Sequence, residues 1–223
     1  MTATLPSLPR RGFLGRAAAA ALALAAGPRL MAGVSPLAAQ ARGGNPEAWL
    51  DRLTAPHRSI YDMPGFADGL PPVHMLNHLN TYNSAYSVRD SDINLVGTFY
   101  GSTTLLAAND AMWAKYRIGE LLDVKNPSGT HWTRNPWRTS VHALGMEIAP
   151  ASLEALQQRG VTFIACNNAL GFFFGAIAEA RAADRAAVEA DIRANLLPGV
   201  TVVPAMVIAI EKAQAKGLSY KRE

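Results

Sequence analysis

Val161-Thr162-Phe163-Ile164-Ala165-Cys166 is an uncharged run of six residues, rich in β-branched and aromatic side chains, with Gly160 before it and Asn167-Asn168 after it. So short a continuously apolar stretch, set off by a glycine, predicts a strand covered on both faces, as in parallel sheets. Residues 152–159 before it carry the pattern of a short helix that Gly160 stops, and the chain returns to helical patterning from Asn167 onward. Cys166 therefore stands where a buried strand ends and a helix begins.

Working outward, residues 93–100 (INLVGTFY) have the same buried-strand character and run into Gly101, Ser102, Thr103 and Thr104. These four suit a turn and the N-cap of a second helix, with Leu105, Met112 and Tyr116 on one stripe and Leu106 and Trp113 beside it. Residues 57–63 predict a first strand stopped by Pro64 and Gly65. Pro71 and Pro72 then open a helix whose Met75, Leu79, Tyr82 and Tyr86 follow at spacings of four, three and four, on one face. Residues 123–140 lack periodicity and predict an ordered insertion loop, and 141–148 fit helix and strand equally. Residues 184–195 predict a helix, and Pro198-Gly199 a turn into a strand at 200–203. Pro204 opens a helix bearing Met206, Ile210 and Ala213 that closes at Gly217, with a short strand at 218–221. This alternation predicts an α/β fold with a doubly wound, mostly parallel sheet and helices on both faces. In such folds reactive groups lie beyond the carboxyl ends of the strands.

That rule nominates two places. At Cys166, the positive end of a following helix would favour thiolate, the form that nucleophilic sulfur chemistry uses. The plain alternative is a small apolar filler, since free cysteine is among the most buried residue types. At Gly101 to Thr104, a glycine and three hydroxyl residues at a helix start could bind an anion through backbone N–H groups, or could simply cap the helix. Both places, with Asn167 and Asn168, could face one crevice able to hold an oxyanion of sulfur. Asp110 and Trp113 share a helical face and suit a buried hydrogen-bond role. His74 and His78 also share a face, a spacing able to hold a metal, but a solvated polar face with Asn77 and Thr81 explains them better and no metal is assigned. His131, Trp132 and Trp137 suit either a binding lip or anchors of the insertion loop. No cofactor motif is present.

Residues 161–170 (VTFIACNNAL), 197–205 (LPGVTVVPA) and 214–220 (QAKGLSY) together resemble the C-terminal half of the DsrE and DsrF-like family. In that family a "G-V-x-x-x-x-C" strand precedes a helix, a "G-V" strand and a helix ending in "Q-x-x-G-x-x-Y". INLVGTFYG is similar to the family's second strand with its terminal glycine. The resemblance covers roughly residues 57–223, interrupted by the insertion loop. It implies a flavodoxin-like sheet, trimeric or hexameric assembly and, in active members, sulfur relay through a persulfide on the strand-end cysteine, which Cys166 matches. Sulfur-relay members continue with an alanine-rich stretch and an Arg-Gly pair, where this chain has Asn167, Asn168 and Ala169.

The N-terminal region carries Arg10-Arg11-Gly12-Phe13-Leu14 followed by an alanine and leucine run to about Gly27, too short to span a bilayer. This pattern predicts a twin-arginine export signal over residues 1–41, with Ala39-Gln40-Ala41 as the cleavage site, and a periplasmic location. Arg29 is irregular for such a signal, and an uncleaved anchor is the alternative. Residues 42–56 predict a linker, and 57–223 a single domain. The signal holds four of the 21 Lys and Arg and none of the 17 Asp and Glu, which leaves 17 of each sign in the mature chain. The high pI thus belongs to the signal and implies no nucleic-acid partner. One cysteine allows no intramolecular disulfide and no internal dithiol cycle, so sulfur held on Cys166 must pass to another protein. The function expected is that of an exported, oligomeric sulfur carrier. The alternative is a non-catalytic oligomeric module that binds a small anion or a protein partner, with Cys166 as core.

Overall fold

The computed structural model describes residues 45–223; the expected export signal lies outside the described residues. In chain order the elements are β1 (His57–Asp62), α1 (Leu70–Tyr86), β2 (Ile93–Phe99), α2 (Asp110–Lys115), α3 (Ile118–Leu121), β3 (Val141–Ala143), β4 (Met146–Ile148), α4 (Leu153–Gln158), β5 (Thr162–Cys166), α5 (Asn167–Arg181), α6 (Arg185–Ala194), β6 (Thr201–Val203), α7 (Met206–Ala215) and β7 (Ser219–Arg222). Polar side chains start several helices by accepting from backbone N–H groups: Asn109 from Met112, Ser152 from Ala155 and Asp184 from Ala187.

Five parallel strands form the central sheet in the order β6-β5-β2-β1-β7. Successive side chains of a strand point to opposite faces, so each strand feeds two cores. One face carries Tyr61, Leu95, Phe99, Phe163 and Ala165, packed under helices α1 to α6. Phe99 and Phe163 stack there with ring centroids 5.2 Å apart, and Gly97 leaves room for them: a Cβ on it would lie 2.6 Å from the Phe163 ring. The other face carries Ile60, Val96, Ile164, Cys166 and Val203, packed under α7 and an N-terminal segment. The connections from β1 to β6 step along the sheet on the first face, and α7 alone returns the chain across the second to place β7 beyond β1. The fold is a doubly wound, flavodoxin-like α/β architecture with helices on both faces.

Three sequence expectations change. Residues 45–55 are not a linker: Trp49, Leu50 and Leu53 are buried against the second face, so the domain begins ahead of β1. α7 by itself leaves that face partly uncovered, and burial of these side chains supplies the rest of the cover. The single helix expected after β2 is instead a 3-10 segment, Gly101–Ala107, followed by α2 and α3. The break lies at Ala108, whose extended backbone bridges Leu196, with Leu197 N–H donating to Ala107 O at 2.7 Å and Asn109 N–H to Asn195 O at 3.0 Å. Pairing with a distant segment thus overrides local helical preference. Residues 141–148 resolve as a two-stranded antiparallel hairpin, β3 and β4, turned at Leu144 and Gly145 with φ of 55° and 74°.

The insertion loop is ordered, as expected. Asn135 is buried and donates to the carbonyls of Leu106 at 2.8 Å and Ala108 at 2.9 Å, and Trp137 is buried against Phe66. Asp110 accepts from Asn135 N–H and from Arg138, which also pairs with Glu154. Trp113 donates its indole N–H to Leu105 O at 2.9 Å. Asp110 and Trp113 are therefore structural. His131 pairs with Asp123 and Arg134 lies over Trp132, so these residues tie the loop to itself.

Candidate functional site

Cys166 ends β5 and takes the N-cap position of α5, as its place in the sequence suggests. Its side chain, however, points to the other helix. Ile164 and Cys166 face the second side of the sheet, whereas α5 packs Leu170 and Phe174 on the first. The Sγ atom therefore meets the first turn of α7, where it accepts from Met206 N–H at 3.4 Å. Cys166 is 6 % exposed and pairs in register with Val203 on β6, whose following loop, Pro204 and Ala205, leads into α7. Pro204 O accepts from Asn168 N–H at 3.3 Å, which draws the starts of α5 and α7 together beside the thiol. Free N–H groups of a helix start stabilise negative charge on an atom placed there.

The hydroxyl residues after β2 do something else. Thr103 is fully buried, and its one hydroxyl proton lies between Met63 O at 2.6 Å and Tyr100 O at 2.8 Å, while Thr104 donates to Gly101 O at 2.8 Å. Ser102 gives both its N–H and its hydroxyl to Pro64 O. These groups lock the β2 end to the turn after β1, so the expected anion cradle over Gly101 to Thr104 is spent on backbone carbonyls. Gly101 is required by that packing: its φ is 59°, and a Cβ would stand 2.6 Å from Pro64 O. Asn167 is likewise engaged, accepting from Arg193 at 2.8 Å, and Asn168 is exposed.

On the same face of the sheet as Cys166, two strands away, the structure assembles a group that the sequence does not single out. Asp62 ends β1, and its carboxylate is buried. It accepts from Tyr100 Oη at Oδ1, 2.6 Å, and from Tyr220 Oη at Oδ2, with Arg222 Nη1 at 3.7 Å. Burial, and then the bond to Asp62, raise the Tyr100 phenol above its ordinary value; for Tyr220 the bond to Asp62 comes first and burial second. Both therefore stay protonated donors. The group lies beyond the carboxyl end of β1, the end of the sheet at which open parallel folds place their ligand sites. The available signal in the sequence was an acidic residue two positions after inward-facing Ile60, at the end of a strand and just ahead of Pro64-Gly65.

His74 and His78 share a face of α1 but serve different partners: His74 Nδ1 meets Glu223 Oε2 at 2.6 Å, and His78 Nδ1 meets Tyr61 Oη at 2.8 Å. Among the described residues no group of three or more His, Cys, Asp or Glu is arranged to hold a metal ion, and no helix is long and apolar enough to cross a membrane.

No protein-family model matches the chain, and no curated protein matches it. Among solved structures it is similar to the protein of unknown function MTH1491 from Methanobacterium thermoautotrophicum. The match has 22 % identity over 75 % of this chain and 99 % of the other, with a TM-score of 0.36.

Proposed function

We propose that this chain is an exported, oligomeric DsrE-like sulfur carrier that holds a sulfane sulfur on Cys166 and hands it to a protein partner. The observation that carries the reading is the Met206 N–H donated to Cys166 Sγ at the start of α7. A sulfur anion placed there has a backbone donor and the positive end of a ten-residue helix to stabilise it. In the loading step the Cys166 thiolate attacks the terminal sulfur of a persulfide donor. An S–S bond forms on Cys166, the donor's S–S bond breaks, and the donor leaves as a thiolate. No net oxidation occurs, and the reverse step onto an acceptor thiol unloads the carrier. The chain's lone cysteine suits such a two-protein exchange, because no second thiol of the same chain can discharge the persulfide as an internal disulfide.

A second reading, a non-catalytic binding module with Cys166 as core, draws on the low exposure of that residue among Ile164, Val203, Met206 and Ala209. One experiment separates the two. The full chain is incubated with polysulfide and weighed by mass spectrometry, beside Cys166→Ser. The carrier gains one sulfur atom, lost on reduction and missing in the variant. Failure to gain it, together with a thiol that alkylating reagents reach only in denaturant, rejects the carrier in favour of the binding module.

A further inference from the structure

The segment ahead of β1 and the start of α7 do not close fully on each other. Between them lies a cleft of about 100 Å³. Trp49 lines it from the N-terminal segment, Ile208 and Ala209 from α7, and Val203 from the end of β6. Cys166, the partner of Val203 in register, does not line it, so the cleft is a separate place from the thiol. An apolar cavity of about 150 Å³ takes a benzene ring; this one is smaller and suits a short branched aliphatic group.

Two opposite charges share the cleft. Glu47 Oε1 and Lys212 Nζ are 3.5 Å apart, and both side chains are nearly half exposed. Charged hydrogen bonds measure about 2.7–2.9 Å, and a looser, exposed pair contributes little, so each charge is free to take a ligand group at small cost. A third polar group comes from Trp49, which is only 3 % exposed. Among the described residues its indole N–H meets no acceptor, although buried indoles ordinarily find one. Arg58 Nε and His142 Nδ1 are sealed away without partners, but Trp49 Nε1 is not sealed in that way, and the cleft is the open space its side chain borders.

The demands of these groups converge on one chemistry. The indole N–H and the Lys212 ammonium both donate, which calls for a carboxylate; Glu47 calls for a cation; the remaining lining calls for hydrocarbon. An α-amino acid carries its carboxylate and ammonium on one carbon, a separation that matches the adjacent Lys212 and Glu47. We propose that the cleft binds a small zwitterionic amino acid with a short aliphatic side chain. Its carboxylate meets Lys212 and the Trp49 indole, its ammonium meets Glu47, and its side chain packs against Val203, Ile208 and Ala209. Binding there needs no sulfur chemistry and leaves Cys166 untouched.

Titration of the isotope-labelled full chain with L-valine tests this, read on the indole N–H signals of its four tryptophans, with Trp49→Phe identifying that of Trp49. The Trp49 signal is expected to shift saturably, while that of Trp113, whose indole donates to Leu105 O in the core, stays in place. Lys212→Gln, a change at the exposed rim, weakens binding by about tenfold, the loss of one charged hydrogen bond. Isobutyrate and isobutylamine, each lacking one of the two charges, bind more weakly than valine, and phenylalanine is excluded by size. Absence of a saturable shift, equal shifts of Trp49 and Trp113, isobutyrate binding as tightly as valine, or unchanged affinity in Lys212→Gln overturns the assignment. Should Trp49→Phe not fold, calorimetric titration of the parent chain and of Lys212→Gln with valine decides, and equal affinities overturn it.

Discussion

The Tyr100 hydroxyl donates to Asp62 Oδ1 at 2.6 Å, joining the residue that follows β2 to the residue that ends β1 across the carboxyl edge of the sheet. Tyr220 does the same from β7 on the other carboxylate oxygen. One buried carboxylate thus ties three strands together. Hydrogen bonds to a charged group contribute about 1.5–3 kcal/mol, and removing the shared acceptor costs more than removing either donor. Tyr100→Phe is expected to lower unfolding stability by about 2 kcal/mol, Tyr220→Phe by less because water reaches that 39 % exposed residue, and Asp62→Ala by the most. Urea unfolding midpoints measure all three.

Acid stability has an identifiable contributor in Asp90. Its carboxylate accepts from Arg159 Nε at 2.7 Å and from Asn83, and the Arg159 bond, its largest influence, holds it below the ordinary value of 3.8. A depressed carboxylate binds fewer protons in the folded state than in the unfolded one. Its contribution is therefore complete above 3.8 and drains away as pH falls through the lower folded value. Stability followed downward from about pH 5 should fall less steeply in Arg159→Gln than in the parent chain, although the variant starts lower.

Asn135 holds the insertion loop through two buried carbonyl acceptors, Leu106 and Ala108, just where the chain breaks from 3-10 into α2. Asn135→Ala leaves both carbonyls unpaired and should cost about 1–3 kcal/mol. Limited proteolysis should then cut the loop at its exposed tip near Pro127-Ser128-Gly129 faster than in the parent chain.

Leu144 occupies the first position of the β3–β4 turn with φ of 55°, is 69 % exposed, and is followed by Gly145. A branched side chain in the left-handed region costs roughly 1–2 kcal/mol, and Asn-Gly is the favoured pair in such turns. Leu144→Asn is expected to raise the thermal midpoint. An unchanged or lower midpoint would mean that Leu144 makes a compensating contact.

Most of the helix and strand pattern was legible along the chain. Residues 93–100 and 161–166 announce buried strands because nothing polar interrupts them, and Pro71-Pro72 and Gly217 mark helix limits by their own backbone restrictions. The misreadings share one cause. Ala108 leaves helix because Leu196 and Leu197 pair beside it, and Trp49 is core because α7 cannot cover the second face by itself. Both depend on partners nearly a hundred residues away or more, beyond the reach of any local period. The candidate site divides in the same manner. Cys166 was found from its position at a strand end, whereas Asp62 gained its importance only from Tyr100 and Tyr220.

By itself, the sequence determined the alternation of strands and helices, the class of sheet, and the station of its one cysteine at the end of a buried strand. Those follow from side-chain period and from the backbone limits of glycine and proline, which act within a few residues. Tertiary structure alone decided that Cys166 faces the start of α7 and not that of α5, and that Thr103 and Thr104 spend their hydroxyls on backbone carbonyls. The physical reason is parity: alternate residues of a strand leave on opposite faces, and which helix waits on each face is settled by the winding of the whole chain.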